Sequence, residues 1–220
     1  KMSGDREEQI VQVDAYNNLG IIKLDKGSIQ GAASNFEKAL DLAASIKYGN
    51  GEKRAFLNLG ICYKKVGNLD RAFLYGEKVL EICEKEGDLL GQEKSLGHLG
   101  GVLFIQERPV ESQKYFSKQL DIAKQLGSKE ACATALGSLG LVKDAMGDFS
   151  AAIKYLKDAL EIQNEIADKE NVGTTLINLG NAYAKRADVE NARKYFEEGL
   201  KIARDTGASG TEALTSRSYG

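Results

Sequence analysis

The dipeptide Leu-Gly stands at residues 19–20, 59–60, 99–100, 139–140 and 179–180, so each interval is 40 residues. A period in the range of 20 to 50 residues, held without slippage, marks a repeat array in which each unit stacks on its neighbours. Numbering each unit so that its glycine is position 8 gives units 13–52, 53–92, 93–132, 133–172 and 173–212. The unbroken period predicts a single domain over 1–220, quasi-linear and without an internal boundary. Pro109 is the one proline of the chain, so almost every segment is free to be helical.

Two helices alternate inside each unit. The first carries an apolar or aromatic residue at position 4 (Tyr16, Phe56, Leu96, Leu136, Leu176), then Leu at 7 and Gly at 8. A three-residue step keeps one face apolar at the helical period, not the strand period. Gly27, Gly67 and Gly147 follow at position 15, each suited to a left-handed stop, and Ser28, Asn68, Asp148 and Asp188 follow as caps. In the third unit Glu107-Arg108-Pro109 replaces glycine and cap, which predicts a turn of different geometry.

The second helix has Ala or Ser at position 20, Phe36, Gly76, Phe116, Leu156 and Phe196 at 24, and Leu in all units at 28. That i, i+4 stripe predicts near-complete burial of Leu120 and Leu160 at position 28. Gly76 leaves a hole in the stripe, which Phe73 and Tyr75 stand beside and could fill. Gly87, Gly127 and Gly207 end these helices at position 35. The acidic first turn from Asp5 predicts the start of the first helix there, with Lys1 to Gly4 mobile. A start at Lys1 instead of Met points to a fragment, and residues 208–220 read as a truncated sixth unit or a tail.

With aromatic or Leu at 4, Leu-Gly at 7–8, Tyr63 and Tyr183 at 11, Ala at 20 and Phe at 24, the unit resembles the tetratricopeptide repeat (TPR). Its length of 40, and Leu179-Gly180-Asn181, are similar to the Leu-Gly-Asn (LGN/Pins) class of adaptors. The resemblance implies an all-α TPR superhelical solenoid of five helix-turn-helix repeats plus a partial sixth. It also implies a concave wall of first helices, with positions 2, 5, 6, 9, 12 and 13 facing a bound peptide.

On that wall three features stand out. Position 6 is Asn18, Asn58, His98, Ser138 and Asn178, and Asn181 lies one turn beyond; an amide both donates and accepts, so it can pair with any peptide main chain. The bland alternative is that these asparagines tie neighbouring helices together. Arg54, Lys64, Lys65 and Lys94 make a basic set among otherwise mixed charges, which predicts attraction of an acidic segment. Gly97, Gly101 and Gly137 are small where a helix interior disfavours glycine, predicting an open pocket for a bulky partner side chain, with Ile21, Leu57, Ile61, Leu141 and Ile177 as apolar floor beside it.

Chemistry is sparse elsewhere. His98 is the single histidine, and no nucleophile, base and acid come together in sequence, so no enzyme is predicted. One His with scattered Cys62, Cys83 and Cys132 gives no metal set and no disulfide framework, and no cofactor is expected. Cys62 and Cys83 read as small core residues, and three scattered thiols point to a reduced, cytoplasmic protein. Gly97-x2-Gly100-Gly101 lacks the strand and the Lys-Ser/Thr of a phosphate loop. A net charge of −2 gives no reason to expect nucleic acid, and no apolar run reaches the roughly 20 residues of a membrane span. The expected activity is that of a peptide-binding adaptor whose partner is a protein or peptide; the alternative is a scaffold that self-associates through its exposed ends.

Overall fold

In the computed structural model, residues 2–206 are described, and they contain ten helices and no strand. First helices are α1 (Met2–Asp25), α3 (Gly49–Lys65), α5 (Leu89–Ile105), α7 (Lys129–Ala145) and α9 (Lys169–Lys185). Second helices are α2 (Ile29–Ser45), α4 (Leu69–Glu86), α6 (Pro109–Gln125), α8 (Phe149–Glu165) and α10 (Val189–Thr206). From α3 onward each first helix starts 40 residues after the last, as the period requires. Helix α1 begins at Met2, ahead of the acidic turn at Asp5; Lys1 and the proposed sixth unit or tail at 208–220 lie outside the described residues, as does the stop at Gly207.

Every inter-helix turn uses the same left-handed residue. Gly27, Gly67 and Gly147 have φ of 77°, 76° and 79°, and Gly87 and Gly127 have 68° and 65°. Glu107 does not change the turn: it enters the left-handed region at φ 58°, as do Lys47, Ala167 and Ala187 at 54°, 56° and 61°. The third turn therefore keeps the common geometry, with Pro109 at the first helical position, where its missing N–H leaves no orphan. Side-chain caps follow, with Asn68, Asp88, Ser128, Asp148, Asp168 and Asp188 each accepting from the backbone N–H three residues on.

The chain divides into two compact units between Gln106 and Glu107. In the first, α1 to α5, Leu59 and Cys62 of α3 pack on Ala32 and Phe36 of α2, and Ala55 packs on Ala39 and Ala43. In the second, α6 to α10, Leu179 and Ala182 of α9 pack on Ala152, Ile153 and Leu156 of α8. Positions 3, 7 and 10 of a first helix thus face the preceding second helix.

Burial on the second helix is displaced by one residue from the invariant leucines. Position 27 is enclosed (Ala39 0%, Val79 2%, Gln119 4%, Ala159 0%), and so is position 31 (Ala43, Cys83, Ala123, Gln163). Leu120 is 9% exposed and meets the expectation, whereas Leu160 is only half-buried. The enclosed stripe runs 20, 24, 27, 31, because a helix wedged between two first helices needs small residues at its narrowest approach. Cys62 and Cys83 sit in the core at 1% exposure each, and burial pushes both thiols up from their ordinary value.

The signature glycine has a steric cause. A Cβ on Gly180 would lie 2.6 Å from Cδ1 of Phe196, and one on Gly140 would lie 2.7 Å from Cγ of Leu156. The position 24 side chain occupies the space that a position 8 side chain would need. Around Gly60 that contact is missing, because position 24 is Gly76; the nearest atom to an added Cβ is Cε1 of His98 at 3.6 Å. Overpacking costs about 1–3 kcal/mol and a helical Gly→Ala change gains up to ~1 kcal/mol. Gly180→Ala is therefore expected to lower stability in urea unfolding. Gly60→Ala should raise it by about 0.5–1 kcal/mol, and equal signs for the two variants would contradict this account.

Candidate functional site

The first helices α1 and α3 adjoin in one unit, and α7 and α9 in the other. On α3 the open face follows the helical step, with Arg54 and Asn58 half-buried and Leu57, Ile61, Lys64 and Lys65 exposed. Leu57 and Ile61 are 43% and 38% exposed, an apolar strip left in solvent between an amide and cations. Ile21 of α1 and Leu141 of α7 lie open in the same register. Ile177 does not join them. It is 2% exposed, packed against Gly199, whose lack of a side chain admits it.

Charges on this face are partly spent on joining helices. Arg54 donates from Nη1 to Oδ1 of Asp14 at 2.6 Å and from Nη2 to Oδ1 of Asn18 at 3.2 Å. Asn18 thereby ties α1 to α3, and Arg54 has an acid partner already. Lys185 does the same between α9 and α7 by pairing with Asp144. Lys64, Lys65 and Lys94 are exposed and form no ion pair among the described residues. Of the expected basic set, these three are the cations available to a ligand. Asn58, Ser138, Asn178 and Asn181 are half-buried on their helices.

His98 departs from the asparagines that share its position. Its ring turns inward, with Nδ1 3.3 Å from where a Gly76 Cβ would be and Cε1 3.6 Å from where a Gly60 Cβ would be. Phe73 and Tyr75 do not fill the Gly76 hole. His98 and Leu99 reach in from α5, and Tyr75 stacks instead on Tyr63, ring centroids 5.5 Å apart. The filling is incomplete. A cavity of about 80 Å³ remains between α3, α4 and α5, lined by Phe56, Leu57, Gly60, Ile61, Gly76, Val79, Ser95 and His98. Nε2 of His98 is buried with no hydrogen-bond partner.

Beside this cavity lies a shallower depression of about 190 Å³, sharing Leu57, Val79 and Ser95 and extending to Lys53 and Lys94. Ser95 donates to the Gly91 carbonyl at 2.8 Å, so its hydroxyl is satisfied. Lys53 donates to Glu86 at 2.7 Å and Asp88 at 3.2 Å. The Glu86 contact holds Lys53 above its ordinary value against the cost of its burial; the Gly91 N–H, then Lys53, holds Asp88 below its own. A wider hollow of about 370 Å³ is lined by side chains of α4 alone, such as Leu74, Glu77 and Glu81, and a single helix face encloses nothing.

Gly101 and Gly137 have open space where a Cβ would be, so both leave the surface flat and neither lines the cavity. Gly97 is half-buried on α5 and does not line it either. The residue that creates the hollow is Gly76, on the second helix. Its sequence signal is double: glycine where the other units hold Phe or Leu, and histidine where three others hold Asn.

Among the described residues, no three His, Cys, Asp or Glu side chains stand together as a metal set, and no helix is long and apolar enough to cross a membrane.

A tetratricopeptide repeat family model matches residues 12–85, 92–165 and 152–205, so the chain belongs to the tetratricopeptide repeat family. A curated relative, response regulator aspartate phosphatase A of Bacillus subtilis (strain 168), is 38% identical over 87 residues, which cover 39% of this chain and 22% of that protein. The chain thus spans about a fifth of that relative's length. Aspartyl phosphate phosphatase F from Bacillus subtilis superposes with a TM-score of 0.87 at 15% identity, covering 98% of this chain and 56% of that one. A Rap protein complexed with competence and sporulation factor gives 0.76 at 16% identity, covering 93% and 57%. At those identities the likeness is one of fold.

Burial, then the positive charge of Lys64, lowers the affinity of His98 for a proton below the ordinary value of 6.5. The unfolded chain then binds more protons than the folded one as pH falls below about 6.5, so stability should decline there. Unfolding in urea between pH ~7.5 and ~5.5 should show this slope, and His98→Asn should flatten it. An unchanged slope in the variant would place the imidazole in solvent.

Proposed function

We propose that this chain is a non-enzymatic adaptor that holds an extended, acidic peptide segment of a partner protein along its first helices. The observation that carries this reading is on α3, where Leu57 and Ile61 stand exposed between Asn58 and Lys64, which forms no ion pair among the described residues. Apolar contact supplies affinity, an amide pairs with main chain whatever the sequence, and a cation steers an acidic ligand. The Rap protein with competence and sporulation factor adds support, since that TPR-like fold holds a bound factor. The phosphatase activity in the name of the curated relative is not carried over, because the shared stretch spans 22% of that protein. Kinship with the Leu-Gly-Asn class of adaptors rests on the 40-residue unit and on Leu179-Gly180-Asn181. In this reading the five repeats act as one domain, in the cytoplasm.

Asn58→Ala should weaken binding of an acidic peptide by about 1–3 kcal/mol without shifting the melting temperature. Lys64→Glu should slow association and flatten its salt dependence, since exposed charges mainly steer. Surface plasmon resonance at two salt concentrations reads both. Parental kinetics in both variants would remove the groove as the site.

A second reading is favoured by one observation. Ala15, Leu19 and Ile22 of α1 occupy positions 3, 7 and 10, which second helices cover on α3 and α9; here Leu19 and Ile22 are 48% and 49% exposed. A second copy of this chain brings helices of the kind that cover this stripe elsewhere. Light scattering across a concentration series should then show association, abolished by Leu19→Glu. A monomer at every concentration would dismiss it.

A further inference from the structure

Resting on the peptide-holding reading above, we infer that the Gly76 cavity is a specificity pocket. It takes one aliphatic side chain of the bound segment, of Val, Ile or Leu size, next to an acidic residue.

The size follows from what is missing. Units that hold Phe36, Leu156 and Phe196 fill the corresponding space from their own second helix, against Gly20, Gly140 and Gly180. In the second unit Gly76 withdraws that side chain, and His98 and Leu99 reoccupy part of the room. About 80 Å³ is left. An apolar cavity of about 150 Å³ accepts benzene and one water needs only ~10–15 Å³, so this volume suits a branched aliphatic group.

The chemistry follows from the walls. Gly60, Gly76 and Val79 offer no polar side chain, and Leu57 and Ile61 stand at the exposed mouth on the face of α3. A water here would find as unpartnered polar side-chain atoms only the two ring nitrogens of His98, of which Nε2 is buried, whereas a stable buried water makes about three hydrogen bonds. An aliphatic side chain loses nothing by entering. Charge selects its neighbour. Lys64 stands close enough to disfavour a proton on His98, and Lys94 borders the adjoining depression. Both are exposed without an ion pair among the described residues, so a carboxylate beside the entering side chain meets them.

The test uses the whole chain and a positional-scanning library of nine-residue peptides with one Asp fixed and the adjacent position varied through Gly, Val, Leu, Phe and Lys. Fluorescence anisotropy reads affinity. The imidazole Cε1–H resonance of His98, the single histidine, reads occupancy of the pocket. Val or Leu should bind about 10- to 100-fold tighter than Gly, the equivalent of burying one such side chain, and should shift the His98 resonance, which the Gly peptide leaves in place. Gly76→Phe should abolish that preference while Gly-peptide binding persists. Should that variant fail to fold, His98→Asn carries the test, because a larger pocket should move the preference from Leu to Phe. Equal affinity across the varied position, or a Leu preference unchanged in His98→Asn, overturns the pocket alone. Binding of no library member overturns the peptide-holding reading itself, and the pocket with it.

Discussion

The fold depends on one close approach, the backbone of position 8 against the side chain of position 24. Phe36 lies over Gly20, Leu156 over Gly140 and Phe196 over Gly180, each in space that a Cβ would occupy. Phe36 and Leu156 also share a core with the next first helix, through Leu59 in one unit and Leu179 in the other. A single residue thus locks the two helices of its own repeat together and presents the surface for the next. Interiors at close-packed density leave no slack for such a wedge, so the glycine follows from the large side chain at position 24 and neither is free to change alone.

Where the wedge is absent, the neighbourhood reorganises without losing the fold. Gly76 removes it in the second repeat, and α5 responds by sending His98 and Leu99 inward. A residue whose counterparts stand on the open face becomes a lining residue of a cavity. The buried Nε2 and the lowered proton affinity of the ring are two consequences of that displacement, the second caused by burial and then by the charge of Lys64.

Charge on the first helices serves two purposes that the sequence does not separate. Arg54 and Lys185 bridge adjoining first helices through Asp14 and Asp144. Such exposed pairs add little stability, about 0–1 kcal/mol, and they take these cations out of the set available to a ligand. Lys64, nearly three turns further along the same helix as Arg54, and Lys94, on the next first helix, form no ion pair among the described residues. Their availability is a matter of where carboxylates happen to stand across a helix gap.

The 40-residue period, the ten helices and the left-handed turns at Gly27, Gly67, Gly87, Gly127 and Gly147 were legible in the residues, because they depend on local conformational preference and on side chains at fixed helical spacing. The turns at Lys47, Glu107, Ala167 and Ala187 were not. Even Glu107 obeyed the turn once its neighbours required it, at φ 58°. The exposed strip of Leu57 and Ile61 was expected from the resemblance to tetratricopeptide repeats, which implies an open wall at positions 5 and 9. What required the tertiary structure was every contact across a helix gap. The invariant Leu160 proved half-buried while its neighbour Ala159 is enclosed, since closeness of approach, not invariance, selects the narrowest point. Ile177 left the open face because Gly199 made room for it. The hollow formed at Gly76 and not at Gly101 or Gly137, because a missing side chain makes a cavity only where other atoms surround the gap. On an open face it leaves only solvent, and periodicity along one chain cannot tell the two apart.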